Sequence, residues 1–155
     1  MIQNTVAHTT VLLYYPNMFD RCLYFNVNAL TRLVNKKWTD AFEVFDLSPA
    51  HGYMLRVVLS KPGITQKELA TELRLEKSTI TRFVDALQKK ELVVRKAGGV
   101  DGREQNIHPT GKAKKIHASL DEMGESLYQT MLSTIGKEQL TTLVRQLRET
   151  AKKVK

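Results

Sequence analysis

The chain has 155 residues, 42% hydrophobic and 26% charged, a size that suits one domain with long projecting helices and argues against two independent cores. Its net charge of +8 and pI of about 9.6 favour an acidic partner, and on charge alone DNA, RNA and anionic lipid fit equally. A lone cysteine, Cys22, excludes an intramolecular disulfide, and no run of about 20 apolar residues exists for a membrane span, so a reducing cytoplasm is the expected setting.

Taken in order, the chain opens with Met1 to His8, which lack the basic region of a signal peptide, so no export is expected. The apolar run Val11-Leu12-Leu13-Tyr14-Tyr15 follows, ended by Pro16, and residues 1–20 are read as an arm that packs on a partner subunit or, alternatively, as a disordered leader. From about Arg21 to Val44, Leu23, Leu30, Leu33, Val34, Trp38, Phe42 and Phe45 recur at helical spacing. Asp46-Leu47-Ser48-Pro49 then provides an N-cap with Pro at the first helical position. The helix it opens runs through Tyr53, Met54, Val57 and Val58 to Lys61-Pro62-Gly63, and it is expected to support what comes next.

The stretch from Thr65 to Glu91 carries two short helices joined by a tight connection, a helix-turn-helix pattern. Thr65 and Glu68 have capping-box spacing and fix the first start. In the second helix Ile80, Phe83, Val84 and Leu87 share one side, which must be buried. Ser78, Arg82 and Lys89 point nearly opposite, flanked by Lys77, Thr79 and Thr81. Small hydroxyl side chains let a helix enter a major groove, where an Arg can bond two acceptors of a guanine or a phosphate. A solvated amphipathic helix with chance hydroxyls is the plainer alternative.

Past Glu91 the period changes. Leu92 to Lys96 and Glu104 to His108 are two β-type arms around the glycine-rich tip Ala97 to Arg103, a hairpin whose basic residues are Arg95, Lys96 and Arg103. A basic hairpin after a recognition-type helix is a wing, able to reach phosphates or an adjacent minor groove. Thr110 starts a helix with Ile116, Leu120, Met123 and Leu127 on one stripe. After a break at Thr134 to Gly136, a last helix carries Leu140, Leu143, Val144, Leu147, Ala151 and Val154. Such a seam needs a partner, expected to be the same helices of a second copy. Between Lys61 and Lys115 stand thirteen basic and seven acidic residues, a net of +6, so most of the excess charge sits on the module that would meet nucleic acid.

The string LEKSTITRFVDALQKKELVVR, with the Asp101-Gly102-Arg103 tip and the Pro109-Thr110-Gly111-Lys112-Ala113 helix start, resembles the MarR family of bacterial winged-helix regulators. The resemblance is strong from about Leu47 to Lys115. It implies a mainly α fold with a small β-hairpin wing: a winged helix-turn-helix module (47–109) and dimerisation helices (21–46 and 110–155) in one intertwined domain. It also implies that Asp101 orients Arg103, which enters the minor groove. Two positions depart from the family pattern: Glu91 replaces the usual glycine closing the recognition helix, where a non-glycine residue is strained, and Ala113 replaces a frequent glycine.

The resemblance further implies a repressor, less often an activator, released by a small molecule, typically an aromatic carboxylate or phenol, or by cysteine oxidation. Cys22 lies roughly where thiol-based sensors of the family keep their reactive cysteine, although a lone Cys on an apolar helix also serves as a core filler. Trp38, Phe42, Phe45 and Tyr53 are read either as pocket walls or, more simply, as core. A twofold dimer would place two recognition helices about 34 Å apart on double-stranded DNA and so read an inverted repeat. The competing reading is a sequence-tolerant architectural winged helix that binds DNA or RNA. No catalytic constellation is found, His8, His51, His108 and His117 are scattered, and neither metal nor cofactor is expected.

Overall fold

The computed structural model describes residues 18–98 and 104–154, so most of the expected arm and the wing tip with Asp101 and Arg103 lie outside the described residues. The chain separates into two units, residues 1–40 and 41–155.

Most of the first long helix, α1 (Leu23–Phe42), lies in the first unit, close to the span that the spacing predicts. Asn26 builds its start: the Nδ2 group is shared among the carbonyls of Phe19, Asp20 and Cys22 at 3.1, 3.0 and 2.9 Å. Phe19 and Phe25 stack beside it, their ring centroids 5.0 Å apart. The apolar residues Leu23, Tyr24 and Leu33 nevertheless remain exposed.

The second unit begins with a 3₁₀ turn, Glu43–Phe45, closed by Asp46 in the left-handed region at φ 53°. Ser48 caps α2 (Pro49–Ser60) by accepting from the His51 amide at 3.4 Å, and Pro49 takes the first helical position, where its missing N–H has no partner to lose. A Cβ at position 52 would stand 1.9 Å from the Phe42 ring, so Gly52 is the residue that lets that ring reach the core. Of the four aromatic residues with two readings, Phe42 is buried, Trp38 and Phe45 are half-buried, and Tyr53 is exposed.

The hairpin is confirmed and enlarged. β2 (Val93–Gly98) and β3 (Glu104–Pro109) pair antiparallel from Val93 opposite Pro109 to Gly98 opposite Glu104. A third strand, β1 (Ile64–Thr65), joins the other side of β3 with Ile64 opposite Ile107, which the sequence reading did not anticipate. Two residues are too few to display alternation, and the pairing depends on the turn at Gly63, whose N–H donates to the Ile107 carbonyl at 2.9 Å.

The helix-turn-helix consists of α3 (Gln66–Leu73) and α4 (Lys77–Lys89). After the sheet, the single helix expected from Thr110 is two, α5 (Gly111–Lys115) and α6 (His117–Ile135), divided at Ile116. Gly136 then separates α6 from α7 (Lys137–Lys153), inside the predicted break. Ile80, Val84 and Leu87 of α4 are fully buried, each contributing about 1.5–3 kcal/mol relative to exposure. An exposed pair such as Lys61–Glu72, at 2.7 Å, contributes about 0–1 kcal/mol. Apolar packing therefore decides which face α4 turns outward.

Candidate nucleic-acid interface

The start of α3 is held by a complete capping box. Thr65 donates its amide to Glu68 Oε2 at 2.8 Å, and the Glu68 amide donates to Thr65 Oγ1 at 3.2 Å. The Glu68 carboxyl is held below its ordinary pKa, first by the Thr65 amide and then by the Thr65 hydroxyl, because both hydrogen bonds favour the charged form. Across the turn, Thr81 Oγ1 lies 3.0 Å from both Gln66 Oε1 and the Lys77 carbonyl, which ties the second helix to the first. Thr81, one of the residues named from sequence, is half-buried and already engaged within the module.

Lys77, Ser78, Arg82 and Lys89 are exposed on α4, and Thr79 is half-buried on its flank. Glu76 makes no side-chain cap, so the first-turn amides of α4 lack a side-chain acceptor there, and those amides with Lys77 and Ser78 present an electropositive end. Among the described residues none forms an ion pair with Arg82. On the wing, Lys96 is exposed. Arg95 is not: its side chain is 19% exposed, and its guanidinium donates to Asp85 and Gln88 of α4. It braces β2 against the recognition helix. Asp85 and Gln88 are three residues apart and so share a face of α4, the only trace of this brace in the sequence.

A second cluster holds the exit of α4. Lys90 pairs with Asp46 and lowers the pKa of that carboxyl by hydrogen bonding and charge. Thr110 Oγ1 donates to the Glu91 carbonyl at 2.7 Å, and Lys112 Nζ donates to the Lys90 carbonyl at 2.9 Å. His51 packs on the Phe83 ring at 4.6 Å with Nδ1 2.6 Å from Ser48 Oγ. Burial first and the Lys90 charge second depress its pKa. Beside this cluster lies a cleft of about 440 Å³ with Val44, Phe45, Leu92 and Ile116 among its walls and Lys89 and Lys112 at its polar side. Among the described residues no group of three or more His, Cys, Asp or Glu could hold a metal ion, and no helix is long and apolar enough to cross a membrane.

The model of the MarR family matches residues 45–104, which span the support helix, both helices of the helix-turn-helix and the hairpin. Across that module the chain matches the MarR family. A similar curated relative is the HTH-type transcriptional regulator MgrA of Staphylococcus aureus, 24% identical over 126 residues, 81% of this chain and 84% of that one. Two solved structures share the fold. A MarR protein from Peptoclostridium difficile has a TM-score of 0.75 at 23% identity, covering 89% of this chain and 90% of that one. MepR of S. aureus, solved as a DNA complex, has a TM-score of 0.76 at 20% identity, covering 84% and 96%. These MarR relatives are regulators rather than enzymes.

The departure of this chain from the MarR pattern at the helix exit has a visible consequence. Glu91 adopts φ 61°, the left-handed conformation that glycine takes without strain. Its carbonyl is held by Thr110 and its carboxylate stands 3.8 Å from Lys112. The exposed ion pair contributes little; the Glu91 and Leu92 amides donate to the Gln88 and Leu87 carbonyls, both at 2.9 Å, the pair of bonds that closes a helix through a left-handed residue. Ala113, the second departure, is fully buried beneath the Thr110 cap.

Proposed function

We propose that the chain is a sequence-specific DNA-binding transcriptional regulator that acts as a homodimer on an inverted repeat, with repression as its mode. The observation that carries this reading is the division of α4: Ile80, Val84 and Leu87 are sealed inside, while Lys77, Ser78 and Arg82 face solvent around an uncapped helix start. In this reading Arg82 reads bases, Lys77, Ser78 and Thr79 set the depth of the helix, and Lys89 and Lys96 contact phosphates. Thr81 and Arg95 hold the module in shape, and Asp101 and Arg103 serve the minor groove as the family pattern implies. The DNA complex of MepR supports the choice of duplex DNA as partner.

Release by a small aromatic effector is supported by the cleft of about 440 Å³ at the exit of α4, within the size range of ligand pockets and with apolar walls next to lysines. A ligand there would press on Lys89 and Leu92, the residues that join the recognition helix to the wing. Cys22, half-buried at the start of α1, is the residue through which oxidation would act.

The discriminating experiment is Arg82→Ala, with binding measured on an operator located by footprinting the wild type and on random duplex. Loss of about 1–3 kcal/mol on the operator and little on random DNA is expected. Equal losses on both would favour the architectural reading. Lys89→Ala and Lys96→Ala should weaken both duplexes alike and reduce the salt slope.

A further inference from the structure

Gly124 lies inside α6, where a glycine is about 1 kcal/mol less favourable than an alanine, so its presence calls for a physical reason. The structure supplies one. A Cβ at this position would stand 2.6 Å from Nη1 and 3.0 Å from Cζ of Arg56. Arg56 comes from α2, the support helix of the winged module, and its Nε donates to Asp121 Oδ1 at 2.9 Å. His117 Nε2 approaches the other oxygen of the same carboxylate at 3.3 Å. His117, Asp121 and Gly124 are four and three residues apart on α6, so they share the face that α2 packs against. With its side chain 32% exposed, Arg56 is partly withdrawn from water, and the glycine gives its guanidinium room at the α6 surface.

The contact joins the two parts whose relative angle matters most to a dimeric reader. On one side stands the winged module. On the other, α6 leads through Gly136 into α7, whose apolar seam Leu140, Leu143, Val144 and Leu147 has no buried residue. We propose that Arg56, seated over Gly124 and paired with Asp121, is a positioning residue that locks the angle between the winged module and α6, and thereby sets the half-site separation the homodimer accepts. The inference rests on the dimeric reading above. Its scale is physical: α6 has 19 residues and is about 28 Å long, so a tilt of about 7° moves its end by about 3.4 Å, one base-pair step. Releasing the lock should therefore blur the discrimination between adjacent spacings without touching any DNA-contacting side chain.

The test uses the full chain and its Arg56→Ala, Gly124→Ala and Arg56→Lys variants. Each is measured by mass in solution, by thermal melting, and by binding to the operator, to operators lengthened or shortened by one base pair between half-sites, and to a single half-site. The wild type is expected to be dimeric and to prefer the native spacing by about tenfold. Arg56→Ala and Gly124→Ala should reduce that preference to about twofold. Mass and half-site binding should not change, and Arg56→Lys should restore part of the preference. Gly124→Ala separates positioning from stability, because its methyl displaces only the mobile end of Arg56 while improving the helix, so its melting point should not fall. Full spacing preference in both variants, or equal loss on every duplex including the half-site, would overturn the lock while leaving the dimeric reading intact. A monomeric or spacing-indifferent wild type would overturn the dimeric reading and the lock together.

Discussion

Helices α4 and α7 carry the same kind of pattern and meet different fates. In α4 three of the four residues at threes and fours, Ile80, Val84 and Leu87, are fully buried against α2, α3 and β2, and the fourth, Phe83, is half-buried. In α7 an equally regular stripe has no fully buried residue: Leu140 and Leu143 are half-buried, and Val144 is 46% and Leu147 43% exposed, although the helix is longer, 17 residues against 13. Periodicity says that a face is built to be covered, and it is silent on what covers it. One helix finds its cover within the chain, whereas the other has the face that the proposed homodimer would cover.

The sharpest way to break this comparison is to charge the open stripe. Val144→Lys combined with Leu147→Lys should leave the winged module folded, convert the proposed dimer to monomer by mass in solution, and weaken operator binding about 100-fold through loss of the second half-site. An unchanged mass would mean that α7 is not the seam. The counterpart in α4, Leu87→Ala, should cost about 2–5 kcal/mol in denaturant melting with an unchanged slope, because its cavity opens inside the module. A cost below 1 kcal/mol would mean the two helices differ less than their burial indicates.

Smaller effects sharpen the contrast at the exit of α4. Glu91→Gly should raise stability by about 1 kcal/mol by relieving the left-handed backbone, while Glu91→Val should lower it. The smallest effect concerns His51. Burial holds its folded pKa below the ordinary value of 6.5, so the neutral form is the one the fold prefers. The stability it contributes is present above pH 6.5 and is lost as pH falls through the folded pKa. Melting temperature should therefore decline as pH falls from 6.5 to the lower folded pKa, and His51→Phe should flatten the decline.

Much of the winged module is legible in the sequence. The Thr65 and Glu68 capping box, the Ser48 and Thr110 caps, the buried face of α4 and the two arms of the wing all follow from residues within four positions of one another or from a strand period of two. The β1 strand was hidden because two residues carry no period, and the division of α5 from α6 because Ile116 is an ordinary helix former in an apolar stripe. The roles of Arg95 and Thr81 were misplaced toward the solvent for another reason. Their partners Asp85, Gln88 and Gln66 are 10, 7 and 15 residues away, and a charged or hydroxylic side chain looks the same in sequence whether it faces water or a partner.

By itself, then, the amino-acid order determined where helices begin, which of their faces are apolar and where the positive charge gathers, since these depend on caps, periods and composition acting over a few residues. Only the tertiary structure decided which cations are already engaged, that the Arg56 guanidinium lies where a side chain at position 124 would stand, and that the α7 stripe stays more open than the α4 stripe. The physical reason is common to all three: each is a contact between segments far apart in the chain, and close packing rather than local preference selects it.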